Sequence, residues 1–300
     1  MPSRRCAPRF WPSRPAPRGK PVIRLAVQSR LVPGASLREK HGTALRYGFD
    51  GLELSGFPMI ELAREAVRDR VPVTAMCSGH RGWFVDPDPE QVRACREDVK
   101  VLLELSAELD GAPLIVVPIY GRTHNLPAHC GTGRTRDEDR ALWLDGLREA
   151  TGQAERVGGH LLVEAINRFE NSISVKVAEA VGFAREMGSP NVRAMGDVFH
   201  MNIEEVDLGA AFESMGDALG YVHLADSQRL EPGKGHLDWD NVFGGLARLG
   251  YDGYASLECS LSGPADEVLP AAVQFLRERI AATRTSAEPP VAGGAGGEGR

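Results

Sequence analysis

The chain has 300 residues, of which 42% are hydrophobic and 25% are charged, as in an ordinary globular protein. Its 41 acidic and 35 basic residues give a net charge of −6. No apolar run approaches the roughly 18 residues of a membrane span, so the sequence predicts no membrane partner.

The basic residues are concentrated at the N-terminus. Residues 1–20 contain six arginines and lysines and no acid, which leaves 29 basic and 41 acidic residues elsewhere, a net charge of −12. Such a negative charge outside residues 1–20 predicts no nucleic-acid partner, because the phosphate backbone of a nucleic acid binds to basic protein surfaces. Residues 1–20 are Pro-rich without the apolar core of a secretory signal, so a disordered leader is predicted, with a transit peptide as the alternative. Residues 283–300, rich in Ala, Gly and Pro, are a predicted disordered tail.

The cysteines are five in number, scattered and without CxxC spacing. Such a set argues against both a disulfide framework and a zinc knuckle. The reducing cytoplasm is therefore the predicted compartment.

Between the two ends, short apolar runs alternate with amphipathic segments. Eight runs are predicted strands: residues 22–27, 51–54, 73–77, 114–119, 160–166, 192–198, 221–225 and 254–259. Four segments are predicted helices, each followed by a glycine typical of a helix C-cap: 89–109 with Gly111, 137–157 with Gly158, 174–187 with Gly188, and 239–249 with Gly250.

Eight strands that alternate with helices predict a single (β/α)₈ TIM barrel, formed by residues 21–282 as one catalytic domain. A doubly wound open sheet is the alternative. No strand–helix turn carries the GxGxxG pattern of a dinucleotide-binding sheet, however, which favours the barrel.

Polar residues follow the last four predicted strands, and in a TIM barrel such strand ends converge on one mouth. They are Glu164, Asn167, Arg168 and Glu170 after the fifth strand, Asp197 and His200 after the sixth, His223, Asp226 and Arg229 after the seventh, and Glu258 in the eighth. Each has a structural alternative: a helix N-cap for Asp197, a rim ion pair for Glu164 or Glu258, a core histidine for His223, and a surface charge for Arg229.

Unpaired buried carboxylates cost several kcal/mol each, so converging acids need a cation. Carboxylate oxygens with an imidazole nitrogen suit Mn²⁺, Mg²⁺ or Co²⁺. Zinc is disfavoured, since neither a Cys nor further histidines occupy ligand positions.

The segments VEAINRFE, GDVFHMNIEE, VHLADSQRLEPGKGHLDW and SLEC resemble the metal-dependent sugar isomerases and epimerases with a xylose-isomerase-like barrel, and most closely their ketose 3-epimerase branch. The resemblance runs from about residue 23 to residue 280. It implies a divalent metal, Mn²⁺ before Co²⁺ or Mg²⁺, and a homodimer or homotetramer. The implied metal ligands are Glu164, Asp197, His223 and Glu258, and the implied substrate-binding residues are Glu170, His200 and Arg229.

Such a site would act on a ketose or a keto-sugar acid by removing the proton next to the carbonyl, through an enediolate. Glu164 and Glu258 are the candidate base and acid on opposite faces of the sugar, and the sequence leaves open which is which. Three alternatives remain: a keto-inositol dehydratase or C-glycoside-cleaving lyase on the same scaffold, an abasic-site endonuclease, and a non-catalytic sugar-binding protein.

Residues 225–228 (Ala-Asp-Ser-Gln) depart from the turn usual in that branch, which leaves the substrate open. Residues 120–136 are expected to form a lid. The alternative is recognition of an acidic or phosphorylated substrate through Arg122, Arg134 or Arg136. Glu53 and Trp83 also lie near strand ends, and Trp83 is a candidate for stacking on a sugar.

Overall fold

The computed structural model describes residues 22–120 and 131–286. Within these ranges, eight parallel strands follow one another around a closed barrel, with the first strand paired to the last. The predicted TIM barrel is confirmed. The strands are β1 Arg24–Gln28, β2 Gly51–Ser55, β3 Met76–Cys77, β4 Leu114–Val116, β5 Leu161–Glu164, β6 Val192–Asp197, β7 Leu219–Leu224 and β8 Tyr254–Leu257.

Helices connect the strands and surround the barrel. They are α1 Leu37–Arg46, α2 Met59–Asp69, α3 Pro89–Glu108, α4 Arg136–Val157, α5 Val177–Met187, α6 Val198–Glu204, α7 Leu208–Met215, α8 Trp239–Leu249 and α9 Ala265–Ser286. No helix in residues 22–120 or 131–286 has the length and apolar character needed to span a membrane.

Local chemistry explains several helix ends. The hydroxyl of Thr135 accepts a hydrogen bond from the backbone of Glu138, whose carboxylate in turn binds the Thr135 backbone, and this capping box starts α4. Gly158, Gly188 and Gly250 end their helices in the left-handed conformation, as predicted. The prediction for Gly111 is wrong, because α3 has already ended with Leu109 as its C-cap residue.

Several predicted strands are shorter than expected, and two of them lose half or more of their predicted residues. The predicted strand 73–77 reduces to Met76–Cys77, and the predicted strand 114–119 ends at Val116. Pro118 supplies no backbone N–H for pairing, and its carbonyl instead accepts a hydrogen bond from Val85. The apolar residues after Val116 therefore belong to a buried loop.

The core has two parts. The larger part fills the space between the barrel and its helices, with Trp143 packed edge-on against Phe84 and Phe183. The smaller part fills the barrel interior and is called here the interior layer: Ala75, Ile115, Leu162, Met195 and Tyr221. Since side chains alternate along a strand, the inward positions two residues further on lie directly above this layer.

The two ends of the chain are only partly described. The predicted leader, residues 1–20, lies outside the described residues. Helix α9 continues to Ser286, so the first four residues of the predicted tail are helical. The rest of that tail lies outside the described residues.

Candidate metal centre

Four side chains meet at the carboxyl ends of the last four strands. Glu164 ends β5, Asp197 ends β6, His223 lies on β7 and Glu258 directly follows β8. Each offers one ligand atom, and these atoms all lie within 4.8 Å of one another. Glu164, Asp197 and His223 each lie two residues after a residue of the interior layer. Because side chains alternate along a strand, these three side chains also point inward, at the mouth of the barrel.

The imidazole of His223 is fully buried, and its Nδ1 faces the three acids. Nδ1 lies 2.8 Å from Oε2 of Glu258, 3.6 Å from Oε1 of Glu164 and 3.8 Å from Oδ2 of Asp197. It finds no aligned hydrogen-bond partner among the described residues. Ligands of one ion with bonds of about 2.1 Å lie roughly 3 Å apart, so the set fits an oxygen-preferring divalent cation.

Asp197 has two structural roles at once. Its Oδ1 accepts a hydrogen bond of 2.8 Å from the backbone N–H of Phe199, which caps α6. Its Oδ2 points toward His223. The N-cap interpretation and the ligand interpretation of this residue are therefore compatible.

Arg229 lies inside the cluster instead of on the surface. Its Nη1 donates to both oxygens of Asp197 at 2.9 and 2.7 Å, and its Nη2 donates to Oε2 of Glu258 at 2.7 Å. The guanidinium also stacks 4.7 Å from the ring centre of Phe199. The residue therefore contacts two candidate metal ligands directly, and it neutralises part of their charge.

The two candidate catalytic acids have opposite pKa shifts. Burial raises the pKa of Glu164 to about 7, and nearby His223 offsets only part of that effect. Burial would also raise the pKa of Glu258, but the positive charges of His223 and Arg229 outweigh it and hold that pKa well below its usual range. One carboxyl thus retains a proton near neutral pH while the other is ionised, a difference typical of acid–base pairs.

His200 and Glu170 lie on one side of this cluster, next to Asn167. The backbone N–H of Asn167 donates to Nδ1 of His200 at 3.3 Å, and its side-chain amide donates to Oε2 of Glu170 at 2.9 Å. Burial lowers the pKa of His200 to about 4. The ring is then neutral with its proton on Nε2, which faces Asp197 at 3.8 Å.

Two polar strand-end residues shape loops instead of the site. Arg168 forms an ion pair with Glu204, 2.7 Å between Nη2 and Oε2. The carboxylate of Asp226 is buried in the β7–α8 loop, where it accepts hydrogen bonds from Nε1 of Trp239 at 3.0 Å and the backbone of Gly233 at 2.8 Å.

The loop arginines after β4 have protein partners. Nε of Arg134 lies 2.7 Å from Oδ1 of Asp139, and Nη2 of Arg136 lies 2.8 Å from Oε1 of Glu179. These ion pairs disfavour a role for either arginine in binding an acidic substrate. Arg122 and most of the predicted lid lie outside the described residues.

Glu53, predicted only to lie near a strand end, is fully buried beside the site. Both of its carboxylate oxygens lie 3.1 Å from Nε2 of His223. The sequence feature that could have indicated this role is the position of Glu53, an acidic residue in the middle of the apolar run GLELS. Trp83 has aromatic neighbours, with its ring 5.3 Å from His80 and 6.0 Å from Tyr120.

Comparison with known proteins agrees with this architecture. A family model described as xylose isomerase-like TIM barrel matches residues 43–279. The chain is 32% identical over 241 residues to 3-dehydro-D-guloside 4-epimerase of Escherichia coli K12, covering 79% of this chain and 92% of the relative. It is 36% identical over 222 residues to D-psicose 3-epimerase of Enterocloster bolteae, covering 70% and 72% respectively. The crystal structure of apo 3-keto-D-glucoside 4-epimerase from E. coli is similar with a TM-score of 0.74 and 29% identity, covering 88% of this chain and all of that one.

The chain therefore belongs to the xylose isomerase-like TIM barrel family. The relatives named above are epimerases, so the predicted likeness to the ketose 3-epimerase branch is confirmed. The prediction of an enzyme of the isomerase class is confirmed by the same relatives.

Proposed function

We propose that the protein is a divalent-metal-dependent epimerase that inverts a carbon next to the carbonyl of a ketose or keto-sugar. The observation that carries this proposal is the meeting of two acids of opposite pKa shift, Glu164 and Glu258, around the inward-facing Nδ1 of His223. Epimerisation needs one group to take a proton and another to return it from the opposite face.

The proposed metal ligands are Glu164, Asp197, His223 and Glu258, with Mn²⁺ as the preferred ion and Co²⁺ or Mg²⁺ as alternatives. When bound there, the cation would polarise the substrate carbonyl and make the neighbouring C–H more acidic.

The chain's own carboxyl groups then move the proton. The low pKa of Glu258 favours its ionised form, which would accept the C–H proton at a carboxylate oxygen. The raised pKa of Glu164 favours its protonated form, which would donate to the opposite face of the planar carbon. The reverse reaction exchanges the two roles, as an equilibrium between epimers requires.

The surrounding polar residues would bind and orient the sugar. Nε2–H of neutral His200 and the guanidinium of Arg229 would donate hydrogen bonds to the oxygen that becomes negative during proton removal. Glu170, held by the amide of Asn167, would accept a hydrogen bond from a sugar hydroxyl.

The names of the relatives support this substrate class. In a 3-dehydro-guloside the carbonyl is at C3, and inversion at C4 occurs on the adjacent carbon. In D-psicose the carbonyl is at C2, and inversion at C3 again occurs next to it. We therefore propose that this chain performs the same elementary step, with free ketoses and 3-keto-glycosides as the first substrates to test.

The decisive experiment is solvent deuterium exchange. Metal-stripped protein reloaded with Mn²⁺ is incubated in D₂O with D-psicose, D-fructose and a 3-keto-glucoside, and the sugars are analysed by NMR and mass spectrometry. Epimerisation gives deuterium at the inverted carbon without loss of mass from the skeleton. Loss of water would point to the dehydratase alternative, and loss of the aglycone from the 3-keto-glucoside would point to the lyase alternative. Absence of exchange with every sugar would contradict the proposal.

The remaining expectations concern the whole protein. We propose that residues 21–282 are the catalytic domain, and that the protein is a cytoplasmic homodimer or homotetramer. Light scattering of the purified protein would test the assembly, and cell fractionation would test the compartment.

A further inference from the structure

Glu53 closes the side of His223 that faces away from the other three candidate ligands. The carboxylate lies on β2 with 0% exposure, and the imidazole is equally buried. Both oxygens of Glu53 lie 3.1 Å from Nε2, so the N–H at Nε2 donates to a carboxylate. This contact joins β2 to β7, which are three strands apart around the barrel, and the two residues are 170 apart in the chain.

We propose that Glu53 is a positioning residue that holds the proton of His223 on Nε2, and thereby keeps Nδ1 directed at Glu164, Asp197 and Glu258 as a metal ligand. This inference rests on the proposed metal site and adds a residue to it. A histidine that donates its second N–H to a carboxylate is fixed in ring orientation and becomes a better ligand.

A line of hydrogen bonds fixes Glu53 itself. Nε2 of buried Gln28 donates to Oε1 of Glu53 at 2.9 Å. Oε1 of Gln28 accepts from Nε of Arg30 at 2.7 Å, and Nη2 of Arg30 donates to the carbonyl of Cys259 at 3.0 Å. Arg30 thus fixes the orientation of the Gln28 amide. The Glu53 carboxylate cannot rotate away from the His223 imidazole without breaking its hydrogen bond with Gln28.

Cys77 offers a competing arrangement. Glu53, Cys77 and His223 also present ligand atoms within 4.8 Å of one another, which would make Glu53 a ligand of an ion at Nε2. A cysteine ligand must be a thiolate. Here the thiol lies 3.6 Å from Oε1 of Glu258 and donates its proton to that oxygen in a hydrogen bond. The thiol form favours the positioning role for Glu53.

The test measures Mn²⁺ affinity by calorimetry on the metal-stripped full chain. Glu53→Gln preserves size, but its amide can donate to Nε2 and so favours the opposite tautomer. Its Mn²⁺ dissociation constant should rise roughly 10- to 100-fold. Cys77→Ser should leave that constant within about twofold of wild type. Asp139→Asn is the matched control, because it neutralises another carboxylate of 0% exposure, which lies on α4 and pairs with Arg134.

The tautomer gives a second measurement that needs no variant. In a long-range ¹H–¹⁵N spectrum of the Mg²⁺-loaded wild-type protein, the retained imidazole proton of His223 should reside on Nε2. A proton on Nδ1 would overturn the proposal even if Glu53→Gln failed to fold.

The outcomes separate the two proposals. A wild-type protein that binds no Mn²⁺, Co²⁺ or Mg²⁺ overturns the metal site and the role of Glu53 with it. A wild-type protein that binds Mn²⁺, with unchanged affinity in Glu53→Gln, overturns the role of Glu53 alone. Equal losses in Glu53→Gln and Cys77→Ser would identify both residues as ligands and so contradict a positioning role.

Discussion

Asp197 shows how a single side chain can satisfy a local rule and a functional one together. Its Oδ1 caps α6 through the N–H of Phe199, while its other oxygen lies among the candidate ligands. This capping hydrogen bond holds the carboxylate in one orientation, so the start of α6 also directs the second oxygen of Asp197 toward the other candidate ligands. Asn is as good an N-cap as Asp, and this makes the two roles separable by substitution.

Asp197→Asn should keep the cap and lose most of the metal-dependent stabilisation, because it removes a charged ligand. The measurement is the melting temperature with and without Mn²⁺. His200→Asn is the paired variant: it should keep the Mn²⁺-dependent shift and lose turnover, since His200 is assigned to the substrate. If both variants lost the shift equally, His200 would be a metal ligand and the assignment of the two residues would be wrong.

Glu164→Gln and Glu258→Gln should each lower kcat by about 10²-fold or more, the usual contribution of a positioned acid or base. Both variants should retain the barrel, which circular dichroism can check. The rates are compared at saturating Mn²⁺ so that weaker metal binding does not limit turnover. If a variant kept more than about a tenth of the wild-type rate, the residue that it replaces would not be the acid or the base.

At the scale of strands, the period of two explains which residues face the mouth. Leu162 and Glu164 are both inward on β5, and the same holds for Met195 and Asp197 on β6. Local pattern therefore predicted the barrel and the polar strand ends that converge on its mouth, and the family resemblance selected the four candidate ligands among them. The partners of Glu53 and Arg229 could not be predicted in this way. Glu53 on β2 contacts His223 on β7, and Arg229 reaches from the loop after β7 to the ends of both neighbouring strands. Both sets of contacts depend on side-chain orientation that no local spacing encodes.

The β7–α8 loop carries Arg229, and buried Asp226 organises it. The Asp226 carboxylate accepts hydrogen bonds from Trp239, Gly233 and Ser227. Asp226→Ala would leave these buried donors without their acceptor, so we expect a loss of about 1–3 kcal/mol in the free energy of unfolding, measured by urea titration.

The same variant should leave the Mn²⁺ dissociation constant within about threefold of wild type, because Asp226 touches no candidate ligand; each factor of ten would require about 1.4 kcal/mol. Asp252→Ala on the exposed loop before β8 is the control, with an expected change within about 0.5 kcal/mol. An equally small change for Asp226→Ala would show that the loop does not depend on its carboxylate.

At the scale of the whole molecule, the net negative charge of the chain and the carboxylates at the mouth of the barrel both favour a cationic ligand. Outside residues 1–20 the chain has a net charge of −12, calculated from 29 basic and 41 acidic residues. A negative surface potential raises the local concentration of cations near a cleft of the same sign. Within the cleft, Arg229 and His223 are the cations that balance the converging carboxylates when no metal is bound.

The final prediction is that metal-dependent stabilisation increases with pH. In the metal-free protein the pKa of Glu164 is raised to about 7 by burial. Burial would lower the pKa of His223, but Glu53 and Glu258 outweigh it and raise that pKa well above its usual range. For both groups the folded pKa exceeds the unfolded one, so their stabilising effect is present at low pH and is lost as pH rises through the folded pKa. Metal binding at Nδ1 requires that His223 lose its proton there, and it is favoured when Glu164 is ionised. Protons therefore compete with the cation at Glu164 below about pH 7 and at His223 to higher pH.

The increase in melting temperature caused by Mn²⁺ or Mg²⁺ should therefore be small near pH 5.5 and several degrees near pH 8, since a ligand at about 100 times its dissociation constant adds about 2.7 kcal/mol. Differential scanning fluorimetry across this range, with and without chelator, measures it. Glu164→Gln removes one titrating ligand and should flatten the dependence as well as reduce the shift. An equal shift at both pH values in the wild-type protein would mean that the cation binds away from Glu164 and His223.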